Sequence, residues 1–114
     1  MPYIGAKLSI PLPAPQEAAL KEALGKAISL LPGKSENWLM LSFEDNCRLY
    51  FRGGNDAPMA FVEVKVFGSA PASAYEALTA RICEIFHDQL QIQPDHIYVQ
   101  YEETDHWGWN GGNF

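Results

Sequence analysis

The 114-residue chain reads as an α/β protein of the α+β kind: two βαβ units that together build one four-stranded mixed sheet, with both helices on one face. Three observations predict it. Apolar residues alternate with period two in four short segments, they recur at three-and-four spacing in two longer ones, and the second half of the chain repeats the first.

Ile4, Ala6 and Leu8 carry the first strand. Pro13 and Pro15 suit the start of the first helix, where a fixed φ and a missing N–H cost nothing. Leu20, Ala23, Leu24, Ala27, Ile28 and Leu31 then form one apolar stripe, and Pro32-Gly33 ends it. Leu39, Leu41 and Phe43 mark the second strand, and Ala60, Val62, Val64 and Val66 the third. Pro71 opens the second helix, whose buried side is Tyr75, Leu78, Ile82, Ile85 and Phe86. Ile97, Val99 and Tyr101 mark the last strand. Arg48–Gly54 reads as a short extra strand ending in a turn, and Trp107-Gly108-Trp109 as another; short edge strands of this kind suit pairing across subunits.

Sliding the chain against itself by 58 positions aligns Ile4 with Val62, Leu8 with Val66, Pro13 with Pro71, Leu20 with Leu78, Leu24 with Ile82 and Leu41 with Val99. Right-handed crossovers then place both helices on the same side. The other face carries Tyr3, Gly5, Met40, Ser42, Glu63, Lys65, Tyr98 and Gln100, with Phe61 and Phe67 beside them. It is too mixed for a dry core and too aromatic for plain solvent surface, so self-association is expected to cover it.

Length and composition point to a single domain over residues 1–114, with enough apolar residues for a core. A net charge of -6 without clustered Lys or Arg excludes a nucleic-acid or anionic-membrane surface. Cys47 and Cys83 are far apart and form no redox or metal motif, and His87, His96 and His106 have no ligand spacing, so neither a metal nor a cofactor is expected. No basic stretch leads into an apolar run at the N-terminus, and no segment approaches a membrane span. The expected location is the cytoplasm, with export by a route lacking a signal peptide left open.

Pro2 is the residue with the sharpest chemistry. Removal of Met1 would leave a secondary amine at the head of a strand, titrating near the ordinary α-amino range of about 7.7–8 and lower if buried. Such an amine is a general base near neutral pH. Lys34 follows the helix stop, where an ammonium either caps the last carbonyls or stands at the sheet edge. Tyr98 and Gln100 alternate onto the non-helical face. Trp107, Trp109 and Phe114 sit in a Gly-rich tail that is costly to order unless it packs on something.

These pieces together resemble the macrophage migration inhibitory factor family of the tautomerase superfamily. The likeness spans nearly the whole chain. It rests on Met1-Pro2 followed directly by a strand, Gly33-Lys34 after the first helix, the Gln93–Tyr101 segment, and the tail from Trp107 to Phe114. The resemblance implies the superfamily's duplicated βαβ fold and a homotrimer with an active site at each subunit boundary. It further implies that Pro2 is catalytic, that Lys34 binds a substrate carboxylate, and that a backbone group of Phe67 lies near the substrate. Tyr98 and Gln100 would come from the neighbouring subunit, while Trp38, Trp107, Trp109 and Phe114 line an aromatic pocket. Gln100 stands where an asparagine is usual, Trp107 is bulkier than the typical residue, and Met59–Val62 replaces a Cys-x-x-Cys segment.

The implied activity is keto-enol tautomerisation of phenylpyruvate-like aromatic 2-oxo acids, with Pro2 acting as base and then as acid. Two alternatives stay open: a cytokine-like binding protein with vestigial tautomerase activity and an unknown receptor, or another reaction of the superfamily such as dehalogenation or decarboxylation. The latter branches add arginines near the proline, and Arg48 and Arg52 have no evident place there.

Overall fold

A computed structural model describes residues 1–114. Its main elements are β1 (Pro2–Leu8), α1 (Ala14–Ala27), β2 (Met40–Glu44), β3 (Ala60–Phe67), α2 (Ala72–Leu90) and β4 (Ile97–Thr104), followed by the two-residue strands β5 (Gly108–Trp109) and β6 (Gly112–Asn113). Short 3-10 turns at Ile28–Leu30, Glu36–Trp38 and Pro94–His96 lie between them. The four long strands form one sheet in the order β2-β1-β3-β4. β1 and β2 run parallel, as do β3 and β4, while β1 and β3 are antiparallel, which joins the two βαβ units at the centre of a mixed sheet.

Alternation decides which side of the sheet is dry. In β1 and β3 every second residue is buried: Ile4, Ala6 and Leu8 against Val62, Val64 and Val66. The helices cover that side with Leu20, Leu24, Ala27 and Ile28 from α1 and Leu78, Ile82, Ile85 and Phe86 from α2, all in one core cluster. Both helices begin immediately after an extended proline, Pro13 and Pro71. Neither proline has an N–H to leave unpaired. α1 passes into the 3-10 turn before Pro32, and Gly33 takes the left-handed φ of +77° that reverses the chain. No helix is long and apolar enough to cross a membrane.

Three expectations change. The second strand starts at Met40, so Leu39 precedes it, still packed against the core. Arg48–Gly54 forms no strand; Phe51 and Gly54 make an isolated bridge around a tight turn. The tail does form strand, but without Trp107, and Gly108–Trp109 has a pairing partner in its own chain, Gly112–Asn113. The reason is local: Asn110 and Gly111 have φ of 53° and 81°, the two left-handed residues of a primed hairpin turn, which Asn-Gly adopts most readily.

Candidate active site at the N-terminus of the first strand

Pro2 is buried at the head of β1, opposite Val66 of β3. The chain just before it is pinned as well, because the Phe67 N–H donates to the Met1 carbonyl at 3.0 Å. A cleft of about 790 Å³ opens beside these residues and is lined by Met1, Pro2, Trp38, Trp107 and Trp109 among others.

Lys34 reaches this point from the far end of α1. Its backbone N–H donates to the Leu31 carbonyl at 3.1 Å and so closes the helix end. The ammonium does something else. Lys34 Nζ donates to the Phe67 carbonyl at 2.9 Å, a half-buried contact across 33 residues of sequence. The side chain is therefore a bridge to the end of β3 and not a helix cap. Its charge is felt at the terminus: burial first, and the Lys34 cation second, lower the pKa of the Met1 amine from its ordinary value.

The aromatic residues form connected walls. Trp38 and Trp109 meet edge to face with centroids 5.1 Å apart, Trp109 stacks parallel to Phe114 at 6.3 Å, and Phe114 lies 5.6 Å from Phe67. The tail hairpin is fastened by the Phe114 N–H donating to the Trp107 carbonyl at 3.1 Å. Trp38, Trp109 and Phe114 remain about half exposed, at 47, 52 and 54%, so rings of this size stand ready to cover a ligand or a second chain.

One chain thus brings together Pro2, Lys34, Phe67, Trp38, Trp107, Trp109 and Phe114. Tyr98 and Gln100 are elsewhere. Tyr98 lies opposite Phe61 at the other end of β3, five residues before Val66, the partner of Pro2. That is roughly 17 Å along the strands and about 10 Å across two of them. Tyr98 packs instead edge to face on Phe51 at 5.3 Å and is 58% exposed, and Gln100 is exposed beside it. Arg52 stacks on Phe51 at the same distant end.

The cleft also has walls that sequence reading did not single out: Tyr3, Asn37, Glu63 and Lys65. Alternation already put Tyr3, Glu63 and Lys65 on the non-helical face. What alternation lacks is the pairing register, Tyr3 against Lys65, that sets them beside Pro2. The Tyr3 hydroxyl is held by Ser42 of β2 at 2.5 Å, and its ring lies across Gly5, where a Cβ would come within 2.4 Å of the hydroxyl oxygen.

Comparison with known proteins gives one answer. The family model described as "Macrophage migration inhibitory factor (MIF)" matches residues 1–114. Macrophage migration inhibitory factor of Meriones unguiculatus is 25% identical over 100% of this chain and 99% of its own length. Among solved structures, Leishmania major MIF2 superposes with a TM-score of 0.92 at 34% identity, covering 100% of this chain and 97% of that one. A macrophage migration inhibitory factor homologue from Prochlorococcus marinus gives 0.88 at 32% identity, with 98% of each chain covered. With the duplicated βαβ sheet, the buried Pro2 and the full-length match all in agreement, this chain belongs to the macrophage migration inhibitory factor family, and its fold is that of the tautomerase superfamily.

Proposed function

We propose that the protein, once Met1 is removed, is a keto-enol tautomerase of phenylpyruvate-like aromatic 2-oxo acids, with Pro2 as the proton-transferring group. The observation that carries this reading is the Lys34 ammonium held at the Phe67 carbonyl, close enough to the chain terminus for its charge to act on the amine there. Departure of Met1 takes away the carbonyl that the Phe67 N–H now uses. That unpaired N–H and the Lys34 ammonium are two donors suited to one carboxylate, by hydrogen bonds of which the second is charge-assisted. A carboxylate held there fixes the α-carbon of a 2-oxo acid near the Pro2 nitrogen.

The reaction then needs one group. Neutral Pro2 takes a proton from one end of the keto-enol system, becomes a prolinium, and returns the proton to the other end. Burial first and Lys34 second lower the amine of Met1, and we extend both causes to the Pro2 amine that removal of Met1 would create one residue inward. The aromatic walls exclude water and stack on the substrate ring.

Tyr98 and Gln100, the polar groups that the family resemblance implies beside the substrate, lie far from Pro2 within one chain. We place them in the neighbouring subunit of a cyclic homotrimer, an arrangement that also covers the exposed aromatic face. The decisive experiment pairs N-terminal mass analysis with a phenylpyruvate assay, followed by subunit mixing. Inactive Pro2→Gly and inactive Tyr98→Ala subunits should recover part of the activity when their chains exchange. A sedimenting monomer that still turns over substrate would sink the shared site. Absence of turnover in the Met1-free trimer would favour a binding protein.

A further inference from the structure

One hydrogen-bonded cluster lies outside the cleft, at the edge of the core that Tyr75 and Tyr101 pack against. Immediately after Phe67 the chain leaves the sheet for α2, and this short segment is tied down at each step. The Gly68 N–H donates to the Thr104 carbonyl at 2.9 Å, and the Glu103 carboxylate accepts the Ala70 N–H at 3.4 Å and the Tyr75 hydroxyl at 2.6 Å. Tyr75 is itself anchored on β4. Its ring lies 4.5 Å from that of Tyr101, whose hydroxyl donates to the Tyr75 carbonyl at 3.0 Å and pairs with Thr79 at 2.8 Å. Burial and the neighbouring Glu103 push the Tyr75 hydroxyl up to about 12, so it keeps its proton and remains a donor throughout the neutral range.

We propose that Tyr75 and Glu103 are positioning residues for the Lys34 carboxylate clamp: their hydrogen bond holds the segment after Phe67, and with it the carbonyl that fixes the Lys34 ammonium. Neither side chain lines the cleft, so any effect on substrate must pass through the backbone. The physical need is plain. A lysine side chain has four rotatable carbons, and only a fixed acceptor keeps its charge in one place. Phe67 is the last residue of β3; the Gly68 N–H on the Thr104 carbonyl is the last bond to β4, and Glu103 supplies the attachment after it, at Ala70.

The kinetic test rests on the tautomerase reading. In the Met1-free trimer, Tyr75→Phe and Glu103→Ala should each raise the KM for phenylpyruvate about 3–10-fold, the scale of one lost hydrogen bond, with kcat within about twofold. Glu103→Gln, whose amide oxygen still accepts from Tyr75, should restore most of the loss. In a Lys34→Met background the rise should vanish, because its route is gone. An unchanged KM, or an equal rise in that background, would overturn the proposal and leave the pair as a staple between α2 and the sheet. A second readout is independent of turnover: amide exchange at Gly68 should quicken severalfold in Tyr75→Phe while Val62 and Val64 stay protected. Unchanged exchange at Gly68 would overturn the proposal by itself. If the wild-type trimer converts no phenylpyruvate, the tautomerase reading falls and the exchange measurement alone judges the clasp.

Discussion

The two βαβ halves are the same structure with different ends. Shifted by 58 positions, α1 and α2 start together, as Ala14 and Ala72, and the 3-10 turns Glu36–Trp38 and Pro94–His96 coincide. Each helix leads to a left-handed residue at the same place, Gly33 in one half and Gln91 in the other. The next residue separates them. In the first half it is Lys34, half-buried with its ammonium on the Phe67 carbonyl; in the second it is Ile92, with no exposed surface. Pro2 corresponds to Ala60, and Trp38 to His96, which hydrogen-bonds Asp95 at 2.7 Å. The scaffold is duplicated and the candidate chemistry is not. A charge at one turn and an apolar plug at the other turn the same geometry into a candidate site and a sealed core.

Exchanging these residues breaks the comparison most sharply. Ile92→Lys would put an ammonium into the apolar core cluster at a position with no exposed surface, and the cost of an uncompensated buried charge is about 3–5 kcal/mol. The urea midpoint should collapse accordingly. A midpoint near wild type would show that the second turn can open like the first.

Pro2→Gly tests the first half's own chemistry. It replaces a rigid secondary amine by a looser primary one, and turnover of phenylpyruvate should fall roughly 10²–10⁴-fold, the range general acid-base catalysis supplies. Protein that retains Met1 should behave in the same way, since its Pro2 nitrogen is an amide. A mass-verified sample with Met1 still attached and full activity would remove Pro2 from the mechanism.

Lys34→Met makes the first turn resemble the second without unfolding anything. KM should rise roughly 10–100-fold, the worth of one hydrogen bond to a charged group. The pH profile supplies the sharper reading. Burial and Lys34 lower the Met1 amine; the same two causes should act on a Pro2 amine, so that kcat/KM rises as pH climbs through a value below the ordinary amine range. Without Lys34 the second cause is gone, and the acid limb should move to higher pH while burial still holds it below the ordinary amine range. A limb that stays put would separate Lys34 from the base.

The smallest effect concerns how the halves hold their helices. Gly25 of α1 corresponds to Cys83 of α2, and only Gly25 carries a carboxylate above it: a Cβ there would meet the end of the Glu36 side chain at 2.1 Å. That end is flexible and near solvent, so Gly25→Ala should let Glu36 swing outward while gaining up to about 1 kcal/mol of helix propensity. Thermal unfolding should show a small stabilisation. A loss instead would mean that Glu36 on Gly25 fixes the Glu36–Trp38 turn, and Trp38 fluorescence would then shift as well.

What was legible in the sequence is what a local period can encode. Alternation at Ile4, Ala6 and Leu8 or at Val62, Val64 and Val66 assigns faces, because a strand has only two. Helical spacing and the prolines at 13, 71 and 32 assign the helices and their ends. The repeat assigns the topology. Residue types and their order also sufficed to resemble a family, and so to bring Pro2 and Lys34 forward together. Only the tertiary structure decided the rest. The Lys34 ammonium could have capped its own helix; it crosses to the Phe67 carbonyl because the β1–β3 register brings the end of β3 beside the terminus. The tail could have stood apart as an edge strand; Asn110-Gly111 folds it back, and Trp109 then finds Trp38, an element distant in sequence. Tyr98 sits at the opposite end of the sheet because β4 pairs with β3 in a register that sets Tyr98 against Phe61. Register and long-range contact are properties of how elements meet, and no period within one element contains them.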